Sequence, residues 1–350
     1  MKESNSPKYL KYISYLQVIG IVLVVAGHSV HLYPDGIHGS GTLFYKAVYS
    51  FHMPLFAFIS GFLMIYTSRL TSESRRRPWP FVARKLRRLI LPFVTLTAVT
   101  FVPRAMMSGM ADNVIEINAR SFLLSFVQPN YLPIPFFWYL QASFVMLTVA
   151  YCILYFGHRI GIKVKVLVTT MFVVMLVFAV RPVSVTSVFS LGMAVELGFY
   201  FMLGAMYSVF AADVDRYIPW TRTWFAVAAV LLWGVTLVLF ERTKGMILCA
   251  VAGIMMCTSL ARILEARQWR FLDHLTGANY LIFLLSWYCN IAAQQVLSHF
   301  VTLPWWVHTA LSVTTGIYIP WLAYGYLQRH SNSRWIRLTS YLLGQTLPRK

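Results

Sequence analysis

Acidic charge is what this chain lacks most: 11 Asp and Glu stand against 30 Lys and Arg in 350 residues, and charged residues make up only 12% of the whole. With 58% hydrophobic residues and a mean hydropathy of +0.63, too little polar surface is left to coat a water-soluble domain. Cysteine is scarce as well. Cys152, Cys249, Cys257 and Cys289 all fall in apolar stretches without metal-type spacing or a secreted disulfide framework, so they read as packing residues. There is no glycine-rich nucleotide loop, no cluster of metal ligands, no internal repeat and no low-complexity tract. No metal is expected.

What the chain has in quantity is long hydrophobic runs. Segments of roughly 17 to 23 apolar residues recur, the length that crosses a ~30 Å hydrocarbon core at 1.5 Å per residue. They lie near 13–31, 46–66, 88–105, 136–156, 164–180, 186–209, 222–240, 245–261, 278–298 and 306–326. Irregular backbone exposed to lipid is not viable, so each span is expected to be helical. The fold class is therefore all-α: a polytopic membrane protein of about ten transmembrane helices in a single domain over 1–350. The stretch from Ile13 to about Val30 has the look of a signal peptide, but no small-x-small cleavage site follows, and an uncleaved first helix is expected.

The formal charge of +19 would suggest nucleic acid in a soluble protein, but here the basic residues sit between apolar spans. With the N-terminus inside, 24 of the 30 Lys and Arg fall on the inner side, and only Lys46, Arg104, Arg120, Arg181, Arg242 and Lys244 fall outside. This positive-inside bias places both termini, the lead 1–12 and the tail 327–350, in the cytoplasm. It accounts for the basic pI by topology and excludes a nucleic-acid partner. Two outer loops are long: 32–45, with Pro34, Asp35, Gly36 and His38, and 106–135, with a short interfacial helix expected around Ser121–Phe126.

Polar groups inside apolar spans are the candidates for chemistry, because they are costly to hide there. His28 lies in Val25-Ala26-Gly27-His28-Ser29, near the outer end of the first helix, with His31 one turn further out. His52, in Phe51-His52-Met53-Pro54, begins at a similar depth on the second. For His31 and His52 interfacial solvation is the simpler reading. Gln17 precedes His28 by eleven residues, about three turns, which puts the two side chains on one face about 16 Å apart as a polar stripe. Helix packing would also explain Gln17. Glu196 is the sole acidic residue deep in a span and is expected to form a structural ion pair, with Arg181 as a candidate partner. The run Arg84-Lys85-Leu86-Arg87-Arg88 is first a topology and anionic-lipid signal. Helical spacing adds that Arg84, Arg87 and Arg88 share a face that could grip phosphates.

The segment Leu16-Gln17-Val18-Ile19-Gly20 to Gly27-His28-Ser29, followed by Phe51-His52-Met53-Pro54-Leu55-Phe56 to Ser60-Gly61-Phe62, resembles the opening of the acyltransferase-3 membrane family. Arg84 to Pro92 resembles its RxxR motif, and Phe137-Trp138-Tyr139-Leu140 resembles its later Trp-Phe/Tyr-Leu motif. Gly277 to Trp287 is similar to a segment that usually ends in His-Trp. The resemblance implies transfer of an acyl group, acetyl foremost, from cytoplasmic acyl-CoA to a hydroxyl of an envelope or exported carbohydrate, in the cell membrane. It implies His28 as the catalytic residue and Arg84, Lys85, Arg87 and Arg88 as the CoA-phosphate site. Ser29, His52, Ser60 and Trp138 become candidate oxyanion or acceptor contacts. Gln17 stands where the family usually has Arg, and Ser286 where it often has His. Besides lipid and the carbohydrate acceptor, other polysaccharide-assembly proteins are expected partners. A transporter or flippase-like protein, or a non-catalytic member of such an assembly, is the alternative reading of the same polar stripe.

Overall fold

The computed structural model describes residues 10–31, 39–68, 78–106, 116–239, 246–300 and 303–347. Pro34, Asp35, Gly36 and His38, Arg75, Arg76 and Arg77, residues 107–115 and the His31 side chain lie outside the described residues. Every regular element among the described residues is helical. In chain order they are α1 (Lys11–His31), α2 (Ser40–Tyr49), α3 (His52–Ser68), α4 (Pro78–Lys85), a π-helical turn (Leu86–Ile90), α5 (Leu91–Met106), α6 (Ala119–Leu124), α7 (Trp138–Arg159), α8 (Val164–Val180), α9 (Leu191–Val209), α10 (Ala211–Tyr217), α11 (Thr223–Leu239), α12 (Met246–Ala266), α13 (Asn279–Phe300), α14 (Trp305–Arg329) and α15 (Arg334–Leu342).

Helix occupies each of the ten expected places. Seven segments are long and apolar enough to cross a membrane: Lys11–Val30, Ser40–Thr67, Pro78–Met106, Pro135–Arg159, Val188–Val209, Met246–Ala266 and Asn279–Leu297. Val164–Val180 and Thr223–Leu239 are apolar but shorter, 17 residues each, which is the lower limit for a span. Two boundaries differ from expectation. The second span opens at Ser40, inside what was read as loop, and it is interrupted at Ser50 and Phe51. The short helix expected within 106–135 falls at Ala119–Leu124, capped by the Asn118 side chain on the Ser121 amide.

The chain divides into two compact units, 1–59 with 210–329 and 60–209 with 330–350. In the first, α1 is the central helix and packs against α2, α12, α13 and α14. Its Val18, Ile21, Val24 and Val25 form one buried cluster with Leu275, Ala278, Ile282 and Ile317. Lipid competes well for apolar surface, so close fit and interhelical hydrogen bonds, not hydrophobicity, hold such helices together. The N-terminal end of α1 is tied down by charge: Lys11 Nζ lies 3.1 Å from Asp273 Oδ2, and the Tyr15 hydroxyl donates to Asp273 Oδ1 at 2.7 Å and the Trp269 carbonyl at 2.8 Å. These donors hold the Asp273 carboxyl below its usual pKa, Tyr15 contributing most.

In the second unit α7 packs against α4, α8 and α9. Its Gln141 ties the loops before α7 and α9 together: Nε2 donates to the Phe126 carbonyl at 2.9 Å, and Oε1 accepts from the Ser190 hydroxyl at 2.7 Å.

Candidate functional site

His28 sits three residues before the end of α1, half-buried between the buried Gly27 and Ser29. Its Nδ1 lies 3.1 Å from the Tyr49 hydroxyl. The edge of Trp287 from α13 meets the imidazole at 5.4 Å between centroids and 86° between planes. A Cβ on Gly27 would lie 3.0 Å from the Tyr49 ring and 3.1 Å from Val48, so the glycine before His28 is what lets the α2 aromatic approach.

Tyr49 is placed by the interruption that follows it. The Ser50 amide still bonds the Lys46 carbonyl at 3.0 Å, the Ser50 hydroxyl donates back to Ala47 at 2.7 Å, and Trp233 Nε1 donates to that hydroxyl at 3.2 Å. Phe51 packs edge-on against Trp233. His52 then opens α3 fully buried. Its Nδ1 is 2.9 Å from the Val48 carbonyl, which can only accept, so this nitrogen carries the proton. The His52 ring lies 4.6 Å from that of Tyr49. His52 thus braces Tyr49 within the protein, and the interfacial solvation expected for it is replaced by burial.

Ser29 faces away from the His28 ring, into a buried polar group shared by α1, α13 and α14. Its hydroxyl donates to the Val25 carbonyl at 2.8 Å. With the Asn290 amide oriented to satisfy its neighbours, the amide nitrogen donates to the carbonyls of Ser286 (3.1 Å) and Ser312 (2.9 Å), and the amide oxygen lies 3.1 Å from the Ser29 hydroxyl. Gln294 Nε2 donates to the Ser29 carbonyl at 2.7 Å. Ser286 lies inside this group. Asn290 and Gln294 escaped the sequence reading, although Ser286, Asn290 and Gln294 recur every four residues and so line one face of an apolar helix.

Gln17 lies on α1 with His28, as expected, and is half-buried between the buried Leu16 and Val18. It makes no hydrogen bond to another described residue.

The basic run spans the end of α4 and the π turn. Arg84, Arg87 and Arg88 are exposed, while Lys85 is half-buried with its Nζ 5.3 Å from the Phe81 ring, itself stacked on Tyr151. The π turn changes the expected geometry: i→i+5 bonding widens the turn, so Arg87 and Arg88 do not follow Arg84 at α-helical spacing. Arg87 covers the Tyr341 ring at 4.5 Å. In this same unit the Ser60 hydroxyl is 3.4 Å from that of Tyr139, and Trp138 meets the Tyr139 ring edge-on at 5.8 Å. Ser60 and Trp138 are therefore gathered around Tyr139.

The ion pair expected for Glu196 does not form. Glu196 and Arg181 are both exposed, and among the described residues Glu196 takes part in no ion pair. Its place on the outer face of α9 points the carboxylate away from the packed interior. Ion pairs do join Lys11 with Asp273 and Arg262 with Asp215, the latter at 2.7 Å.

A family model described as an acyltransferase domain matches residues 10–325, nearly the whole chain. The chain belongs to the acyltransferase-3 family. No curated protein and no solved structure matches it. The acyltransferase-3 match takes in α1 with His28, the basic turn and the buried polar group, and it stops before α15. As a member of this family the protein is a multi-pass membrane acyltransferase.

Proposed function

We propose that the protein moves an acyl group, acetyl foremost, from cytoplasmic acyl-CoA to a hydroxyl of an envelope or exported carbohydrate, with His28 as the base. The observation that carries this reading is the His28 imidazole itself: half-buried in an apolar helix, bonded through Nδ1 to Tyr49 and edged by Trp287. When Nδ1 donates to the Tyr49 oxygen, Nε2 holds the lone pair, which is the tautomer a general base needs. An alcohol attacks a thioester poorly until its proton is removed, and a positioned His contributes roughly 10²–10⁴-fold in that step. Nε2 takes the hydroxyl proton as the oxygen bonds to the acyl carbon. The C–S bond then breaks, and the sulfur of CoA leaves with the proton from the imidazolium.

Arg84, Arg87 and Arg88 are the donor-phosphate set, since guanidinium groups bond phosphate through paired, charge-assisted contacts. Exposure of all three supports this. Contacts between loops support the sidedness drawn from basic residues. Lys11 pairs with Asp273, Arg262 with Asp215, and Arg87 with Tyr341, each joining two segments assigned to the cytoplasm. Trp305 donates to Ser40 and Phe189 to Val127, each joining two segments assigned outside. Mass spectrometry of envelope glycans from cells with and without the protein tests the function. Loss of an acyl ester from one glycan is expected. Unchanged esters with altered glycan export would replace this reading with transport.

A further inference from the structure

The last helix, α15, lies beyond the family match, within the tail 327–350. Its position is set by the residues after it. The Gln345 amide bonds the Ser340 carbonyl at 2.8 Å and the Gly344 amide bonds that of Tyr341 at 3.0 Å, with Gly344 at φ +64. This is the Schellman arrangement, which needs a glycine at that point. Gly344 is also pressed on the basic turn: a Cβ there would lie 2.8 Å from Pro92, 2.9 Å from the Arg88 carbonyl and 3.2 Å from that of Arg87. The tail is thus docked directly on the candidate phosphate site.

Docking buries Ser340, Gly344 and Gln345 and leaves the neighbouring side of α15 exposed. Arg334, Arg337 and Tyr341 share that exposed side at helical spacing, Arg337 about 6 Å and Arg334 about 10 Å along the axis from Tyr341. Arg87 lies over the Tyr341 ring. A row of three guanidinium groups therefore runs from the basic turn along α15. No acidic residue occurs from Pro78 to Met106 or from Arg329 to Lys350. Nothing within either segment neutralises the row, and a ligand bearing several phosphates is its chemical complement.

We infer that α15 completes the phosphate site, with Arg334 and Arg337 binding phosphate groups at the nucleotide end of coenzyme A alongside Arg87. Tyr341 is the positioning residue that holds the Arg87 guanidinium in line. The inference rests on the donor reading above and extends it to a helix outside the matched region.

The test uses the full chain in nanodiscs of phosphatidylcholine, with coenzyme A as the probe in a direct binding titration. Arg334→Gln/Arg337→Gln is expected to weaken binding roughly tenfold or more, with the gel-filtration profile and melting temperature of wild type. Arg337→Lys keeps the charge but not the paired contact and is expected to fall between the two. A double variant that folds and binds coenzyme A like wild type overturns the role of α15. Arg84→Gln/Arg87→Gln/Arg88→Gln separates the two failures: if this triple variant loses binding while the α15 variant does not, only the present inference falls, and if neither loses it, the donor reading falls too. A second set of nanodiscs containing phosphatidylglycerol identifies a lipid site. Retention of that lipid that depends on Arg334 and Arg337, with coenzyme A binding unchanged, would assign the row to headgroups and overturn the nucleotide assignment.

Discussion

The Tyr49 hydroxyl meets the His28 imidazole at Nδ1, 3.1 Å away, from the last residue of α2. One contact thus couples the C-terminal end of α1 to the break between α2 and α3. Tyr49→Phe keeps the ring and its packing and removes only the oxygen that orients the imidazole. The expected outcome is a fall in kcat of roughly tenfold to a hundredfold, with the KM for acyl-CoA and the melting temperature unchanged. Steady-state kinetics on purified protein check this, and an unaltered kcat would remove Tyr49 from the mechanism.

The buried group around Asn290 serves stability. Asn290→Ala strips hydrogen bonds from the carbonyls of Ser286 and Ser312 and from the Ser29 hydroxyl. Two of these, to Ser312 and Ser29, join α13 to other helices, and interhelical bonds in membranes are worth about 0.6 kcal/mol each, so a loss of about 1 kcal/mol is expected, read as a lower melting temperature in detergent. Wild-type stability in this variant would mean that the amide does not tie the helices together.

Asp273 gives a pH signature. Its carboxyl is held below the usual range, chiefly by Tyr15 and then by Lys11, so the charged form stabilises the folded state. Such a contribution is present above the unfolded carboxylate pKa, about 3.9, and is lost as pH falls through the lower folded value. Asp273→Asn should therefore melt below wild type at neutral pH, and the gap should close as the pH falls below about 4. A gap that persists in acid would show that lost packing, not lost charge, is responsible.

Sidedness can be checked with single cysteines in a background where the four native ones are replaced. An impermeant thiol reagent applied to intact cells should label positions in 39–45 and 116–135 and spare those in 267–278 and 330–347. Labelling in the last range would reverse the orientation and detach the basic turn and α15 from a cytoplasmic donor.

Much of this architecture was legible because lipid imposes a crude rule: a run of apolar residues long enough to cross becomes a helix, as at 13–31 and 164–180. His28 and Gln17 stood out for the same reason, as polar side chains in an apolar helix. The break at Ser50 and Phe51 has a cause in the sequence, Pro54, which has no amide hydrogen to give the Ser50 carbonyl and crowds it with its ring; the bond from Trp233 to the Ser50 hydroxyl, 183 positions away, was not legible. The π turn was hidden in a run of Arg and Leu that reads equally well as α-helix. The ion pair assigned to Glu196 failed because sequence depth does not say which way a helix face points. Tyr49 went unseen among twenty tyrosines, although its place three residues before His52 carried a faint signal.

The central claim, that His28 performs the chemistry, is tested most directly in purified protein reconstituted in lipid, supplied with labelled acyl-CoA and an envelope-glycan extract. The His28→Ala variant is expected to bind acyl-CoA as wild type does, since the phosphate site is built from other residues, and to transfer no label to glycan. Full transfer by a well-folded His28→Ala protein would contradict the account, and so would the absence of transfer by wild type.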